Sequence, residues 1–360
     1  MENRVFNFNA GPAALPLSVL KEVKDDLLNY KGEGLSVMEM SHRSKTFDSI
    51  IKGAENLAKE VFSIPNGYKV VFMQGGASLQ FASVPLNLIG ENQGADYINT
   101  GAWSQKAIEE AEKLGKKVSV IASSESDNFD HIPTAFNINP NAAYLHITSN
   151  NTIFGTQWAA YPETGTVPLV CDMSSDIGCR PVNIGKFGLI YAGAQKNIGP
   201  SGVTIVIIRD DLMAKSPANI PTMTSYKVIG GKESLYNTPP TFGIYIIKLV
   251  LEWIKNSGGL SAIGKINQQK ADLLYSLIDS STFFRGTVKK DSRSIMNVTF
   301  RLPSEELEKI FISEATANGM IGLKGHRSVG GIRASIYNAV SLDAVTTLTT
   351  FMKDFEKKNG

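Results

Sequence analysis

The chain has 360 residues, 42% of them hydrophobic and 19% charged, which is typical of a globular protein with more than one structural unit. Its formal net charge of +2 is too small for a protein that binds nucleic acid or a membrane surface through overall charge, so we expect neither partner. The two cysteines and four histidines show no disulfide or metal-ligand spacing, so we expect no metal. Without a secretory signal or a membrane-spanning stretch, we expect a cytoplasmic protein.

Short apolar runs alternate with helical patterns through the first two thirds of the chain. A helical pattern over residues 47–62 ends near Asn66-Gly67, and a buried strand is predicted from Lys69 to Met73. Further strands are predicted at 96–99, 117–121, 143–147, 168–171, 189–192 and 203–208. This alternation predicts an α/β domain with a mainly parallel sheet.

The last third of the chain has a different pattern. After a polar loop at about 209–240, helices are predicted at 242–256 and 259–279. Strands near 294–300 and 331–336 then alternate with helices near 304–318 and 341–356, which indicates a smaller C-terminal α+β domain. With a boundary near Ser257-Gly258-Gly259, we expect a large domain of residues 15–256 and a small one of residues 1–14 plus 257–360.

Polar or glycine-rich segments follow four of the predicted strands, at 74–78, 148–152, 172–175 and 193–202. Ligands of open α/β sheets bind beyond the carboxyl ends of the strands, so these segments predict a ligand site. Gly75-Gly76-Ala77-Ser78 opens a helix and is able to bind a phosphate through backbone N–H groups. The same glycine pair is also common in plain tight turns.

Three residues within this pattern indicate a specific chemistry. Lys196 lies among small residues and has no acidic neighbour in sequence. Partial burial would lower the pKa of its amine, as an imine-forming lysine requires. An isolated lysine, however, more often extends from the end of a strand into solvent. Asp172 follows an apolar strand, where its carboxylate is able to pair with a protonated pyridine nitrogen. The alternative is that Asp172 caps the next turn. Trp103 suits stacking on a heterocycle or packing between helices. Together they favour a pyridoxal phosphate (PLP) enzyme.

Longer motifs carry a resemblance that covers essentially the whole chain. The most specific are Ala-Gly-Ala-Gln-Lys-Asn at 192–197 and Arg-Ala-Ser-Ile-Tyr-Asn at 333–338. Supporting segments are 6–12, 36–43, 101–103, 237–242 and 324–327. On these motifs the sequence resembles the class V aminotransferases of PLP fold type I, and among them the phosphoserine aminotransferases. The resemblance implies a large, mainly parallel domain and a smaller C-terminal α+β domain.

The resemblance also implies roles for individual residues. Lys196 carries the cofactor and Asp172 pairs with its ring nitrogen as the catalytic pair, while Arg333 binds the substrate α-carboxylate. The other cofactor-binding residues implied are Ala77, Ser78, Trp103, Thr152 and Gln195, with Asn237 and Thr238 supplied by the neighbouring subunit of a homodimer with shared active sites. The substrate's distal phosphate or γ-carboxylate is received by His42, Arg43, His326 and Arg327.

The implied reaction transfers an amino group between L-glutamate and a phosphorylated 2-oxo acid, so that 3-phosphohydroxypyruvate gives O-phospho-L-serine in serine biosynthesis. A related four-carbon substrate of vitamin B6 synthesis also has a carboxylate and a distal phosphate. The sequence does not decide whether the enzyme acts on this substrate as well. Some members have arginine where this chain has Ser78, which leaves the details of distal anion binding open.

Four alternatives are weaker on the sequence alone. A structural relative without a cofactor is disfavoured because Lys196, Asp172 and Trp103 are all present. An alanine–glyoxylate type transaminase is harder to exclude, although it would have no use for the two His-Arg pairs at 42–43 and 326–327. A desulfurase needs a cysteine on a mobile loop, but both cysteines precede Lys196 and Cys171 lies in a predicted buried strand. A dinucleotide-binding oxidoreductase needs G-x-G-x-x-G, and the segment 74–80 lacks the final glycine.

Overall fold

The computed structural model describes residues 4–360, and a seven-stranded sheet forms its centre. In chain order the strands are β2 (Tyr68–Met73), β3 (Gly94–Asn99), β4 (Lys117–Ser123), β5 (Leu145–Thr148), β6 (Leu169–Asp172), β7 (Leu189–Gly193) and β8 (Thr204–Arg209). Across the sheet the order is β2-β8-β7-β6-β5-β3-β4. Every neighbouring pair from β7 to β4 is parallel, whereas β8 runs antiparallel to both of its neighbours. The prediction of a mainly parallel sheet is therefore confirmed.

Helices cover both faces of this sheet because successive strand residues point to opposite sides. One face packs on α1 (Leu17–Asp26), α2 (Lys45–Val61) and α7 (Thr241–Asn256), and the other on α3 (Gly76–Leu88), α4 (Ala102–Lys113), α5 (Asp210–Ala214) and α6 (Tyr226–Gly231). In β7, for example, Ile190 faces the first group while Tyr191 faces the second. Both faces are thus buried in the middle of the sheet, which explains why its inner strands are continuous apolar runs, whereas the edge strand β4 is partly exposed.

A second hydrophobic core forms around an antiparallel sheet in the last third of the chain. Its strands are β9 (Arg285–Gly286), β10 (Asn297–Arg301) and β12 (Ile332–Ser335), with β10 in the middle. The helices α8 (Gly259–Ser280), α9 (Glu305–Ala317) and α10 (Leu342–Asn359) belong to this region. The chain's first strand, β1 (Phe6–Asn7), pairs here in parallel with β11 (Met320–Ile321).

The two cores support a division into a large and a small domain. We propose the boundaries 15–256 for the large domain and 1–14 plus 257–360 for the small one, with residues 1–3 outside the described residues. One helix belongs to both cores: Ile263 of α8 packs with the large core, and Ala271 of the same helix packs with the small one. The proposed boundary before α8 therefore assigns a shared helix to the small domain.

The segment 209–240, which the sequence presents as a polar loop, also contains the short helices α5 and α6. No helix among residues 4–360 is long and apolar enough to cross a membrane.

Candidate active site

Four parallel strands end at one edge of the large sheet, and the polar segments predicted from the sequence follow them there. The strands are β2, β5, β6 and β7. Thr148 of β5, Asp172 of β6 and Tyr191 of β7 are direct neighbours across three adjacent strands. The site therefore begins at the centre of the sheet, where Asp172 ends its strand.

Lys196 lies in the turn that follows β7, close to the chain's N-terminal segment. A Cβ atom added to Gly11, whose φ is +137°, would lie 3.3 Å from Lys196 Cγ, so a larger residue at Gly11 would crowd the lysine side chain. The pKa of the Lys196 amine is lowered to about 8, chiefly by burial; the charge of Asp172 opposes this effect and the charge of Arg333 adds to it. A lysine with this pKa has a substantial neutral fraction near neutral pH, which a nucleophilic amine requires.

Asp172 is 5% exposed and is oriented by one neighbouring residue. The backbone N–H of Ser174 donates to Asp172 Oδ1 at 2.8 Å, and the Ser174 hydroxyl accepts from the backbone N–H of Gly193 at 3.0 Å. Burial raises the pKa of the Asp172 carboxyl, whereas the Ser174 hydrogen bonds and the positive charge of Lys196 lower it. The second carboxylate oxygen accepts no hydrogen bond from residues 4–360, so it is available to a cationic ring N–H.

Trp103 links the lysine to the arginine on the opposite side of the site. Its ring centroid lies 5.8 Å from Lys196 Nζ, and its indole N–H donates to the Thr152 hydroxyl at 2.9 Å. Arg333 of β12 donates to the Thr152 backbone oxygen at 3.0 Å. Arg333 forms no ion pair with any carboxylate of the described chain, and its buried Nε has no partner. Its guanidinium fork is thus free to bind an anion.

The first turn of α3 presents backbone N–H groups at the same edge. Gly75 precedes it in the left-handed conformation (φ +83°), and a Cβ there would lie 2.6 Å from Leu79 Cβ, so the turn requires glycine. Ala77 and Ser78 follow in the first turn, where amides have no helical acceptor and no side chain caps them. Gln195 lies beside Lys196, and its backbone oxygen accepts from the Ala13 N–H at 2.9 Å.

Positive side chains surround His326 in the loop between β11 and β12. The His326 ring and the Ser328 hydroxyl form a hydrogen bond of 2.7 Å. The pKa of His326 is lowered, first by burial and then by the charges of Arg333, Arg327 and Lys106. The charges of Arg333, Arg327 and Lys106 therefore act together on His326, and the binding roles of His326, Arg327 and Arg333 stay predictions.

Four of the predicted site residues form no hydrogen bond, within the described part of one chain, to Lys196 or to the residues around His326. Arg43 is exposed, and His42 has a buried Nε2 without a partner, in the loop before α2. Asn237 and Thr238 lie in the loop before α7, where Gln74 donates to the Thr238 backbone oxygen at 3.4 Å. Across residues 4–360, no hydrogen bond joins any of the four to Lys196, His326 or Arg327. Their roles in a shared site stay a prediction.

Three contributors were not found from the sequence. Ser174 and Lys106 act through contacts that depend on the fold, although Lys106 follows Trp103 by three residues, which places both on one helix face. The third is Asn338, whose backbone N–H donates to the Asn197 side chain at 3.0 Å and so ties a distant loop to the turn of Lys196. Lys106 has a signal in its helical spacing, and Ser174 and Asn338 lie within the segments 172–175 and 333–338 that the sequence singles out, but the sequence alone assigns none of the three a role.

A family model described as Aminotransferase class-V matches residues 5–348. The chain belongs to the class-V aminotransferase family. It is 58% identical to the phosphoserine aminotransferase of Desulfosudis oleivorans and 54% identical to that of Geobacillus kaustophilus, with at least 99% of each chain covered. The expected family membership is therefore confirmed.

Solved structures give the same result for the fold. A phosphoserine aminotransferase from Bacillus circulans subsp. alkalophilus superposes with a TM-score of 0.98 at 52% identity, covering 100% of both chains. A PLP-bound phosphoserine aminotransferase from Trichomonas vaginalis superposes with a TM-score of 0.93 at 37% identity, covering 97% of this chain and 100% of that one. The predicted PLP fold type I is confirmed.

Proposed function

We propose that this chain is a PLP-dependent phosphoserine aminotransferase, which converts 3-phosphohydroxypyruvate and L-glutamate into O-phospho-L-serine and 2-oxoglutarate. The observation that carries the proposal is the arrangement of Lys196 between Asp172, the Trp103 ring and the unpaired Arg333. The full-length relatives of 54–58% identity that are named phosphoserine aminotransferase support the same reaction.

The residues of the site fit PLP in their chemistry. The free amides at the start of α3, with Ala77 and Ser78, suit its phosphate, and Trp103 suits its ring. Asp172 has an oxygen without a protein donor and would keep a pyridine nitrogen protonated. Bound PLP supplies an aldehyde that reacts with amines and a ring that takes up the electrons left on the substrate α-carbon.

Lys196 is the residue placed to move the proton. Its amine, with a pKa of about 8, takes the proton from the α-carbon of L-glutamate in one half-reaction. In the other half-reaction it delivers a proton to the α-carbon derived from the keto acid. Because the two half-reactions are separate, the first product leaves before the second substrate binds.

Substrate recognition rests on the cationic groups opposite Lys196. Arg333 has a guanidinium without a carboxylate partner and binds the α-carboxylate through two parallel hydrogen bonds. His326 and Arg327 bind the distal phosphate or γ-carboxylate. The site is therefore selective for acids that carry a second negative charge.

We also propose a homodimer in which the partner completes each site. Asn237 and Thr238 would bind the cofactor phosphate, and His42 and Arg43 the distal anion, each from the neighbouring subunit. The buried and unpartnered Nε2 of His42 supports this assignment, because a buried polar atom is normally satisfied by a partner. A cytoplasmic location remains part of the proposal.

The direct test follows the absorbance of the protein-bound cofactor. The purified protein with PLP should show a visible band that L-glutamate bleaches and 3-phosphohydroxypyruvate restores. If glutamate bleaches the band but only glyoxylate restores it, the chain is an aminotransferase with another acceptor. The phosphorylated four-carbon keto acid of vitamin B6 synthesis belongs in the same series.

We expect the substitution Lys196→Ala to abolish turnover while the fold is kept, since no other described amine lies between Asp172 and Trp103. Loss of a residue that acts as both nucleophile and base typically reduces kcat by a factor of about 10⁴ or more. Steady-state kinetics and circular dichroism measure the two effects. Turnover within tenfold of the wild type would contradict the assignment of Lys196.

A further inference from the structure

Lys106 lies on the outer side of the site, on the same helix as Trp103. Its Nζ is 4.9 Å from the centroid of the Trp103 ring, and Lys196 Nζ is 5.8 Å from the same centroid. Two lysine amines therefore lie near one tryptophan ring. A phosphorylated three-carbon acid that reacts at Lys196 is long enough to extend along this ring towards Lys106.

The charge of Lys106 is not used elsewhere in the described part of the chain. The lysine is exposed and forms no ion pair, whereas Lys113 on the same helix pairs with Glu110 at 2.7 Å. A contact between a cation and the face of tryptophan fixes the position of an ammonium group without neutralising its charge. Lys106 is thus a positioned cation without an anion.

Lys106 acts on the same histidine as two arginines of the site. After burial, the charges of Arg333, Arg327 and Lys106 lower the pKa of His326. Like charges repel, so three cations that act on one histidine are unfavourable without a ligand of high negative charge. A phosphate dianion offsets this repulsion better than a single carboxylate does.

We propose that Lys106 binds the distal phosphate of the substrate and makes the site favour phosphorylated acids over L-glutamate. This inference rests on the proposed function. An ammonium on a flexible stem acts as a point charge that suits a phosphate, while the planar fork of Arg333 suits the α-carboxylate. Lys106 also supplies a cation from α4 near α3, where Ser78 contributes none.

The test compares three variants of the PLP-loaded enzyme. Lys106→Met keeps the aliphatic stem over Trp103 and removes the charge, whereas Lys106→Arg keeps the charge. Lys113→Met removes a lysine of the same helix that lies outside the site and serves as the control. For each variant we would measure KM for 3-phosphohydroxypyruvate and for L-glutamate, and the inhibition constant of inorganic phosphate.

For Lys106→Met we expect KM for 3-phosphohydroxypyruvate and the inhibition constant of phosphate to rise about tenfold, the scale of one lost charge-assisted hydrogen bond. KM for L-glutamate should change less than about threefold, and kcat should be kept, because Lys196 and Asp172 are intact. Lys106→Arg and Lys113→Met should stay close to the wild type.

Two outcomes would overturn the role of Lys106. One is unchanged constants in Lys106→Met, which would make it a solvated lysine that only packs on Trp103. The other is an equal rise of KM for both substrates, which would remove any selectivity for phosphate. A wild-type enzyme without turnover of phosphorylated substrates would instead overturn the proposed function, so the two failures are distinguishable.

Discussion

The reactivity of the Lys196 amine depends on its pKa, which burial and neighbouring charges set. Burial favours the neutral amine and Arg333 repels the charged one, so the pKa falls from 10.5 to about 8 even though Asp172 attracts the ammonium. The amine of the folded protein therefore loses its proton near pH 8, whereas that of the unfolded chain loses it near pH 10.5. In the window between pH 8 and 10.5 the folded state is mainly neutral at Lys196 and the unfolded state mainly charged.

This pKa predicts the pH dependence of cofactor uptake. The rate at which the apoprotein takes up PLP should rise about tenfold from pH 7 to pH 9 and then level off, because the neutral amine is the nucleophile. Stopped-flow absorbance measures this rate, and Lys196→Ala should give no such phase. A rate that keeps rising to pH 10.5 would show that the amine has an ordinary pKa.

At the scale of elements, one buried lysine connects helix α8 to the loop after β12. Lys270 is fully buried, and its ammonium donates to the backbone oxygens of Ile336, Tyr337 and Val340 at 2.9, 2.8 and 2.9 Å. Three donors meet three acceptors, which offsets much of the cost of burying the charge. The same loop carries Asn338, which bonds to Asn197 beside the reactive lysine. Helix α8 thereby supports the turn of Lys196.

We expect Lys270→Met to lower the free energy of unfolding by about 3 kcal/mol or more, because three buried carbonyl groups lose their donors. Lys265→Met, on an exposed position of the same helix, should change it by less than about 0.5 kcal/mol. Urea unfolding measures both changes. Equal stability of the two variants would mean that water replaces the ammonium as donor.

Most elements of the large sheet could be predicted because the strands inside it are buried on both faces and are continuously apolar. Continuous apolarity does not reveal the direction of a strand: β8 is as apolar as the parallel strands, and nothing in its sequence predicts that it runs antiparallel. The helices α5 and α6 have 5 and 6 residues, too short for a helical period. Lys196 and Asp172 could be placed by the strand ends, whereas Ser174 and Asn338 reach the site only through the tertiary fold.

At the scale of the whole molecule, exposed apolar side chains lie near the two segments, at 42–43 and 237–238, that are proposed to reach the partner's active site. Met38, 57% exposed, is four residues from His42, and Tyr236, 44% exposed, precedes Asn237. The Thr241 hydroxyl donates to the Val37 backbone oxygen at 3.4 Å, so these two segments contact each other. These exposed side chains are consistent in position with the homodimer proposed above, in which His42 and Asn237 face the partner's site.

The proposed sharing of active sites between subunits predicts that two inactive variants restore activity when mixed. Lys196→Ala and Arg43→Ala chains, unfolded together and refolded in equal amounts, should recover about a quarter of wild-type activity, because half of the dimers contain one intact site. Each variant refolded alone is the control. A mixture no more active than its components would place Arg43 outside the partner's site.

Residues 6–11 depend on partners that lie far along the chain. The strand β1 pairs with β11, Ala10 accepts a hydrogen bond of 2.8 Å from the Tyr337 hydroxyl, and Gly11 lies against Lys196. The ribosome makes residues 6–11 long before their partners near 320 and 337. A nascent chain halted after α7 would form much of the large sheet, but the N-terminal segment beside Lys196 would not yet be held in place. The capacity to retain PLP should therefore appear only after residue 337 has been made.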